Sequence, residues 1–299
     1  MNILLIRTGG LGDSLLTLPV AHTIKKIHSD MKFHILGNEM MLSVARLSGI
    51  FDRYHYIDTG GFYKIFSDSA PSEFLRSFFS KFDIVYFFTT APEKEIKKTI
   101  IDSGARNCHV LDPRKPNNLK GHIADHLMTI LGESHISPPL AISTEFTIDQ
   151  SLTRKRSGVL IHPGSGSRSK NWPLKNFIRL AESVTSQVSF LLGPAEIERG
   201  MEKDILSEVF HVIKTESLSE LLQVLSEAEL YVGNDSGVSH LAAMCGTPCV
   251  VLFGATDPAV WRPVGRDVTI VPSGNGLMNG ISIEEVLNVV IEKVLIQAT

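Results

Sequence analysis

The chain has 299 residues, 43% of them hydrophobic and 20% charged, with a formal net charge of −3. That length is generous for one hydrophobic core and suits two domains of about 150 residues each. The slight acidity argues against a protein that wraps a basic surface around nucleic-acid phosphates, and the balanced composition excludes a low-complexity chain.

Residues 1–7 start with a short apolar run, Ile3 to Ile6, that lacks a basic leader and is far too brief to cross a bilayer, so it reads as a first strand. A helix is expected from about Gly12 to Ile27, a strand over Phe33 to Leu36 and a helix over Glu39 to Leu47. Phe82 to Phe88 reads as a central strand, followed by helices near 93–102 and 122–131. The group Phe74, Phe78, Phe79 and Phe82 is expected in the core, or, in any part left exposed, in contact with lipid. Periodicity then fails between Ser134 and Arg156, where Ser137-Pro138-Pro139 and a polar stretch suggest a linker. Two domains, 1–150 and 157–299, are therefore expected.

The second half repeats the scheme. Strands at 159–161, 188–192, 211–213, up to Val232, 250–253 and 268–271 alternate with helices at 173–186, 196–207, 218–227, after Asp235 and at 282–296. The last of these helices is allowed to return onto the first domain. Strands separated by helices imply parallel, doubly wound sheets, so the class is α/β, and ligands bind beyond the carboxyl ends of the strands. No run approaches 18 uncharged apolar residues, and Cys108, Cys245 and Cys249 form neither a disulfide framework nor a metal-type pairing. A cytoplasmic protein is expected.

Four loops follow strands. Arg7-Thr8-Gly9-Gly10-Leu11-Gly12-Asp13 has Gly-x-Gly at 10 and 12 but Leu15 where a dinucleotide fingerprint needs its third glycine. Asp13 would repel a phosphate at a helix start, yet suits a carboxylate that takes a proton from a substrate hydroxyl; it serves equally as a structural first-turn acid. His162-Pro163-Gly164-Ser165-Gly166-Ser167-Arg168-Ser169-Lys170 combines small residues that let an anion approach the backbone with two cations, or is a flexible basic loop. Glu196, after Leu192-Gly193-Pro194, is placed either to accept two ribose hydroxyls or to sit as a helix first-turn acid. Asp235-Ser236-Gly237 begins a helix whose free N–H groups suit an anion, with His240 near the same anion. The alternative is that Asp235 or Ser236 is only an N-cap.

Taken in order, these loops resemble glycosyltransferase family nine, the ADP-heptose:lipopolysaccharide heptosyltransferases. The resemblance also takes in Thr17-Leu18-Pro19, Lys170-Asn171-Trp172-Pro173, Ser239 to Ala243 and Leu252-Phe253-Gly254-Ala255-Thr256-Asp257-Pro258, and so spans essentially the whole chain. It implies the GT-B architecture of two facing Rossmann-like domains, with acceptor on the first and nucleotide-sugar on the second. It further implies metal-free transfer with inversion and no cofactor, in keeping with the lack of any Asp-x-Asp. Asp13 is then the general base; Lys170, Ser165, Gly166 and the amides of Ser236 and Gly237 hold the diphosphate; Glu196 takes the ribose; and Asp235 and His240 line the sugar and phosphate end. Gly10, Leu11, Arg114, Lys115, Lys120 and His122 are the acceptor candidates.

The implied partners are an ADP-sugar, with ADP-heptose foremost, and an anionic glycolipid or cell-envelope glycan, reached by peripheral contact with the inner face of the cytoplasmic membrane. Rival readings are a transferase or epimerase of the same architecture using another nucleotide-sugar, and a non-catalytic nucleotide-sugar binder. His122 and His126 have the i, i+4 spacing of metal ligands, without an evident third ligand. Arg114, Lys115 and Lys120 also read as a solvated basic loop, and Trp261-Arg262-Pro263 as either the edge of a donor cleft or the cap of a last strand.

Overall fold

A computed structural model describes residues 1–28, 30–67, 70–116, 121–133, 156–207 and 210–297. The chain divides into two compact units, Met1–Ser143 and Thr144–Thr299. In chain order the first contains β1 (Asn2–Arg7), α1 (Leu11–Ile27), β2 (Lys32–Gly37), α2 (Glu39–Ser48), β3 (Arg53–Tyr56), a 3-10 turn at Phe62–Phe66, α3 (Glu73–Phe79), β4 (Ile84–Phe88), α4 (Glu93–Asp102), β5 (Asn107–Leu111) and α5 (Ile123–Glu133). Its strands are parallel in the order β3-β2-β1-β4-β5. Ile3, Leu4, Leu5 and Ile6 of β1 are wholly buried, as an unbroken apolar run must be when helices cover both faces of a parallel sheet. Strand order reverses between β1 and β4, so the carboxyl ends of these two strands form the crevice where such sheets take ligands.

The second unit contains β6 (Val159–His162), a 3-10 turn at Arg168–Lys170, α6 (Leu174–Ser183), β7 (Val188–Leu192), α7 (Pro194–Glu198), α8 (Met201–Ser207), β8 (His211–Lys214), α9 (Leu218–Glu227), β9 (Leu230–Asn234), α10 (Gly237–Met244), β10 (Cys249–Phe253), α11 (Pro258–Trp261), β11 (Val268–Pro272) and α12 (Ile283–Gln297). Its parallel order is β11-β10-β9-β6-β7-β8, and the reversal falls between β6 and β9. Trp172 anchors the core below that point. Its ring meets Phe177 edge-on at 5.0 Å, and its indole N–H donates to the Ile281 carbonyl at 3.0 Å. The last helix, α12, packs on α6 and contributes Val286 and Val290 to the same core.

Several elements depart from the sequence expectations. The helix expected over 196–207 is two, α7 and α8, because Gly200 between them takes a left-handed φ of 78°. Strands β3 and β5 and helix α3 lie outside the sequence expectations. Both strands lie at sheet edges, where half-exposed sequences such as Arg53-Tyr54-His55-Tyr56 carry no clean alternation. Of the four phenylalanines expected in the core, Phe78, Phe79 and Phe82 are there and Phe74 is exposed.

The β2–β3 edge holds two stacked imidazoles, His34 and His55, with His34 Nδ1 2.9 Å from His55 Nε2. Phe82 and Phe78 close on them edge-on. Burial pushes the His34 imidazole down to about 4, helped by His55, Arg53 and Lys32 and opposed by Asp52. The unfolded chain therefore binds this proton first, and the stabilisation from a neutral His34 is complete above pH 6.5 and is lost as pH falls toward about 4. The hydrogen-exchange protection of β2 and β3, corrected for the intrinsic pH dependence of exchange, should fall across that interval, and His34→Gln should flatten the response. An acid response that survives the substitution would assign it to other groups.

Candidate active site

At the crevice of the first unit, β1 ends in Arg7, a basic residue that closes an apolar strand. Its guanidinium is buried, and one terminal nitrogen lies 3.1 Å from Asp13 Oδ1. Burial lowers the Arg7 pKa while Asp13 raises it, and Arg7 Nε is buried without a hydrogen-bond partner among the described residues. The second carboxylate oxygen accepts the Gly10 N–H at 3.4 Å. Asp13 thus sits in the first turn of α1 with its orientation fixed from two sides, and its side chain remains 53% exposed. Gly9 makes this possible: its φ is +152°, and an added Cβ would stand 2.8 Å from Asp13 Cβ. The Asn38 amide holds the Gly9 carbonyl at 3.0 Å while its oxygen caps α2. Gly10 and Leu11 flank Asp13 at the helix start, Gly10 exposed and Leu11 half-buried.

The other acceptor candidates divide. Arg114 and Lys115 line a cavity of about 760 Å³ with Lys97, His109 and His126, beside the edge strand β5. Glu93 and Asp112 also reach it, and Arg114 grips both Asp112 oxygens, holding that carboxyl below its ordinary range. His122 lies apart from this wall: its Nδ1 accepts the Ala124 N–H at 3.2 Å at the start of α5. Among the described residues no third side chain joins His122 and His126 as a metal ligand. Lys120 lies outside the described residues.

In the second unit the crevice lies between the loops after β6 and β9. Asn234, the last residue of β9, is fully buried. Its amide nitrogen donates to the carbonyls of Pro163 at 2.8 Å and Gly164 at 3.4 Å, and its oxygen accepts the Trp172 N–H at 3.0 Å. One side chain therefore holds both ends of the loop expected to meet an anion. Inside that loop the Ser165 hydroxyl lies 2.7 Å from the Ser167 carbonyl and 2.5 Å from Asn171 Oδ1. Its hydrogen-bonding capacity is thus used to shape the turn. Gly166 faces open space, whereas the close approach belongs to Gly164: a Cβ there would overlap Glu196 Oε1.

Asp235 and Ser236 separate cleanly in role. Ser236 is the N-cap of α10, accepting the Ser239 N–H at 3.3 Å. Asp235 is buried and paired instead: Lys170 Nζ stands 2.7 Å and Thr256 Oγ1 2.6 Å from its Oδ2. Ser239 supports the cap from below, touching Ser236 Oγ and Tyr231 OH at 3.1 and 3.0 Å. Gly237 opens the helix, and His240 is buried in its first turn. With the Ser236 hydroxyl occupied, free anion donors at this point come from the α10 backbone and the half-exposed Lys170.

Glu196 is also buried. Its Oε2 accepts the Gly193 N–H at 3.0 Å and lies 3.8 Å from His162 Nε2. Burial raises its pKa, but His162 and the Gly193 and Glu196 amides outweigh that and bring it below the ordinary value. The carboxylate is therefore an ionised brace between the ends of β6 and β7. Asp257 caps α11 by accepting the Ala259 N–H, and Trp261 ends that helix. The sequence had not singled out Arg7, Asn234, Ser239 or Thr256 as site residues; the available signal was a polar residue closing an apolar strand, as in Ile6-Arg7 and Gly233-Asn234.

The family model for glycosyltransferase family 9 (heptosyltransferase) matches residues 131–289, more than half of the chain. Lipopolysaccharide heptosyltransferase 3 of Escherichia coli K12 is 25% identical over 88% of this chain and 86% of its own length. Lipopolysaccharide heptosyltransferase 1 of Salmonella typhimurium is 24% identical over 89% and 92%. Among solved structures, the E. coli heptosyltransferase WaaC with ADP superposes with a TM-score of 0.74 at 19% identity, covering 98% of this chain and all of the other. E. coli ADP-heptose lps heptosyltransferase II reaches 0.77 at 15% identity, with full coverage of both. These likenesses, with the two parallel sheets, bear out the expected GT-B fold class.

Loss of the Asn234 amide would leave the Trp172 N–H and the Pro163 carbonyl unpaired in the interior. Asn234→Ala should lower the unfolding free energy by about 3 kcal/mol, measured by urea titration. A cost below about 1 kcal/mol would mean that the loop holds its shape without this residue.

Proposed function

The chain belongs to glycosyltransferase family 9, and from that premise we propose that it moves a heptose, or a similar sugar, from ADP-heptose to a hydroxyl of a lipopolysaccharide core or related cell-envelope glycan. The names of the relatives support the donor and acceptor classes. The observation that carries the chemistry is the Asp13 carboxylate, open to solvent at the crevice of the first sheet and oriented by Arg7 and Gly10. The acceptor hydroxyl gives its proton to Asp13, and its oxygen attacks the anomeric carbon from the face opposite the diphosphate. The bond from that carbon to the leaving oxygen breaks, and ADP departs as an anion, so the anomeric centre inverts.

The domain roles follow the same division, with acceptor on the first unit and donor on the second. The charge that grows on the leaving oxygen is met by the Lys170 ammonium and the N–H groups at the start of α10, which act where charge develops. The diphosphate takes these together with the backbone at Ser165 and Gly166, while Asp235 faces a sugar hydroxyl and His240 packs behind the phosphate end. Glu196 braces the turn that receives the ribose. The lysine and the helix start supply the positive charge a divalent ion would otherwise bring, so the transfer is metal-independent. Gly10 and Leu11 border the acceptor hydroxyl, and the cavity beside Arg114 and Lys115 takes the acceptor's anionic groups. Protein working from the cytoplasmic side of the membrane fits this chemistry.

Asp13→Asn should lower kcat by a factor of about a hundred to ten thousand, the range of general-base catalysis, while ADP affinity, read by calorimetry, stays the same. Undiminished turnover would remove Asp13 from the mechanism. Turnover after exhaustive chelation of divalent ions should equal that of the untreated enzyme, and a loss restored by one added metal would overturn metal independence.

A further inference from the structure

The Glu196 carboxylate is fixed through one oxygen and given room for the other. Its Oε2 accepts the Gly193 N–H and faces His162 Nε2, while its Oε1 fills the space where a side chain on Gly164 would begin. Gly164 is not one of the glycines with a left-handed φ, so its missing side chain serves to admit the carboxylate and not to permit a turn. A second link from α7 holds the same approach: Arg199, three residues on, donates to the Ser165 carbonyl at 3.4 Å. The end of β7 and the loop after β6 are thus tied together around one carboxylate.

His162 is costly where it stands. It closes β6, is 4% exposed, and its Nδ1 is buried without a hydrogen-bond partner among the described residues. A buried ring nitrogen left unpaired costs free energy, and a leucine would fill the space without that cost. What the imidazole adds is its other nitrogen. Nε2 stands 3.8 Å from Glu196 Oε2, beyond hydrogen-bond length but near enough to favour the charged carboxylate. Burial pushes the Glu196 carboxyl up, and His162 is foremost among the groups that bring it down. An ionised carboxylate with one oxygen committed to the protein repels a phosphate and accepts from hydroxyls. In a nucleoside diphosphate those donors are the two adjacent hydroxyls of the ribose.

We infer that His162 is a positioning residue: with Gly164 it aims Glu196 Oε1 at a ribose hydroxyl, and so makes the second unit select ribonucleotides over deoxyribonucleotides. This role rests on the reading that a nucleotide-sugar binds the second unit, and it adds a residue that touches no ligand itself. His162 acts through Oε2 and Gly164 leaves room for Oε1, so the orientation of the carboxylate comes from the two together.

Calorimetry compares ADP with 2′-deoxy-ADP and 3′-deoxy-ADP on the unaltered chain and on the His162→Leu, His162→Gln and Gly164→Ala variants. A ratio of affinities on one protein does not depend on the fraction of it that folds. The unaltered chain should prefer ADP to at least one deoxy analogue by about tenfold to a hundredfold, the worth of a hydrogen bond to a charged group. His162→Leu and Gly164→Ala should each bring that ratio below about threefold, and His162→Gln, whose amide can donate toward Oε2, should restore most of it. An unchanged ratio in His162→Leu would reduce the histidine to filling space. A ratio lost in His162→Leu and not restored by the glutamine would assign the effect to shape, and either result overturns the positioning role. Equal binding of the three nucleotides by the unaltered chain would overturn that role alone, whereas absence of ADP binding would overturn the donor reading and the role together. Binding needs neither acceptor nor turnover, so failure to transfer a heptose would refute the proposed reaction and leave the ratio standing.

Discussion

The loop architecture of the second unit depends on one buried amide. Strands β6 and β9 diverge in connection at the point where the second sheet changes direction, and a crevice opens there whatever the sequence. What gives the crevice a defined wall is Asn234, whose side chain satisfies two carbonyls of one loop and an N–H at its far end. A buried amide can be fully paired in few arrangements, and a half-paired one is costly. The loop therefore has one conformation in which this group is satisfied. Lys170, Ser165 and the close Gly164–Glu196 packing take their places from it.

The first unit solves a related problem with a charge. Arg7 extends the interior of the first sheet to a guanidinium that cannot escape to water, and Asp13 supplies its counter-ion at the start of α1. Burial favours the neutral form of a cation, and the neighbouring carboxylate offsets that preference. The pair is asymmetric, with the cation buried and the anion exposed. Removing Asp13 would leave a buried charge unmatched, whereas removing Arg7 would free the carboxylate to rotate. Exposure of the acid with restraint of its geometry is what proton abstraction from an incoming hydroxyl requires.

Much of this was legible in the residues. Central strands buried on both faces announce themselves as unbroken apolar runs, and loops after them can be marked before any coordinates exist. Asp13, Lys170, Glu196 and Asp235 lie in loops that can be marked in that way. Edge strands escaped because half-exposure removes the pattern that identifies a strand, as in Arg53-Tyr54-His55-Tyr56. The division of labour between Asp235 and Ser236 was equally hidden: both residue types cap helices, and only the ion pair to Lys170 and the hydrogen bond from Thr256 decide between them. Asn234 and Ser239 escaped for a third reason, since their partners lie on other loops and no local spacing encodes them. Glu196, which the sequence offers as a ribose acceptor or a first-turn acid, is a buried brace because Gly164, thirty-odd residues away in the chain, leaves room for its carboxylate.

The pairing of Lys170 with Asp235 bears on how a bound anion departs. A lysine without an internal counter-ion would hold a diphosphate by an attraction that nothing on the protein replaces, and release would expose a desolvated cation. Here the carboxylate stands 2.7 Å away and is itself steadied by Thr256. When an anion leaves, the ammonium has a partner already in place, so the empty site is less strongly positive than an unpaired lysine would make it. Under the proposed transfer, the contact that moderates affinity for the diphosphate would also shorten its residence, so that the nucleotide product could be exchanged for the next donor.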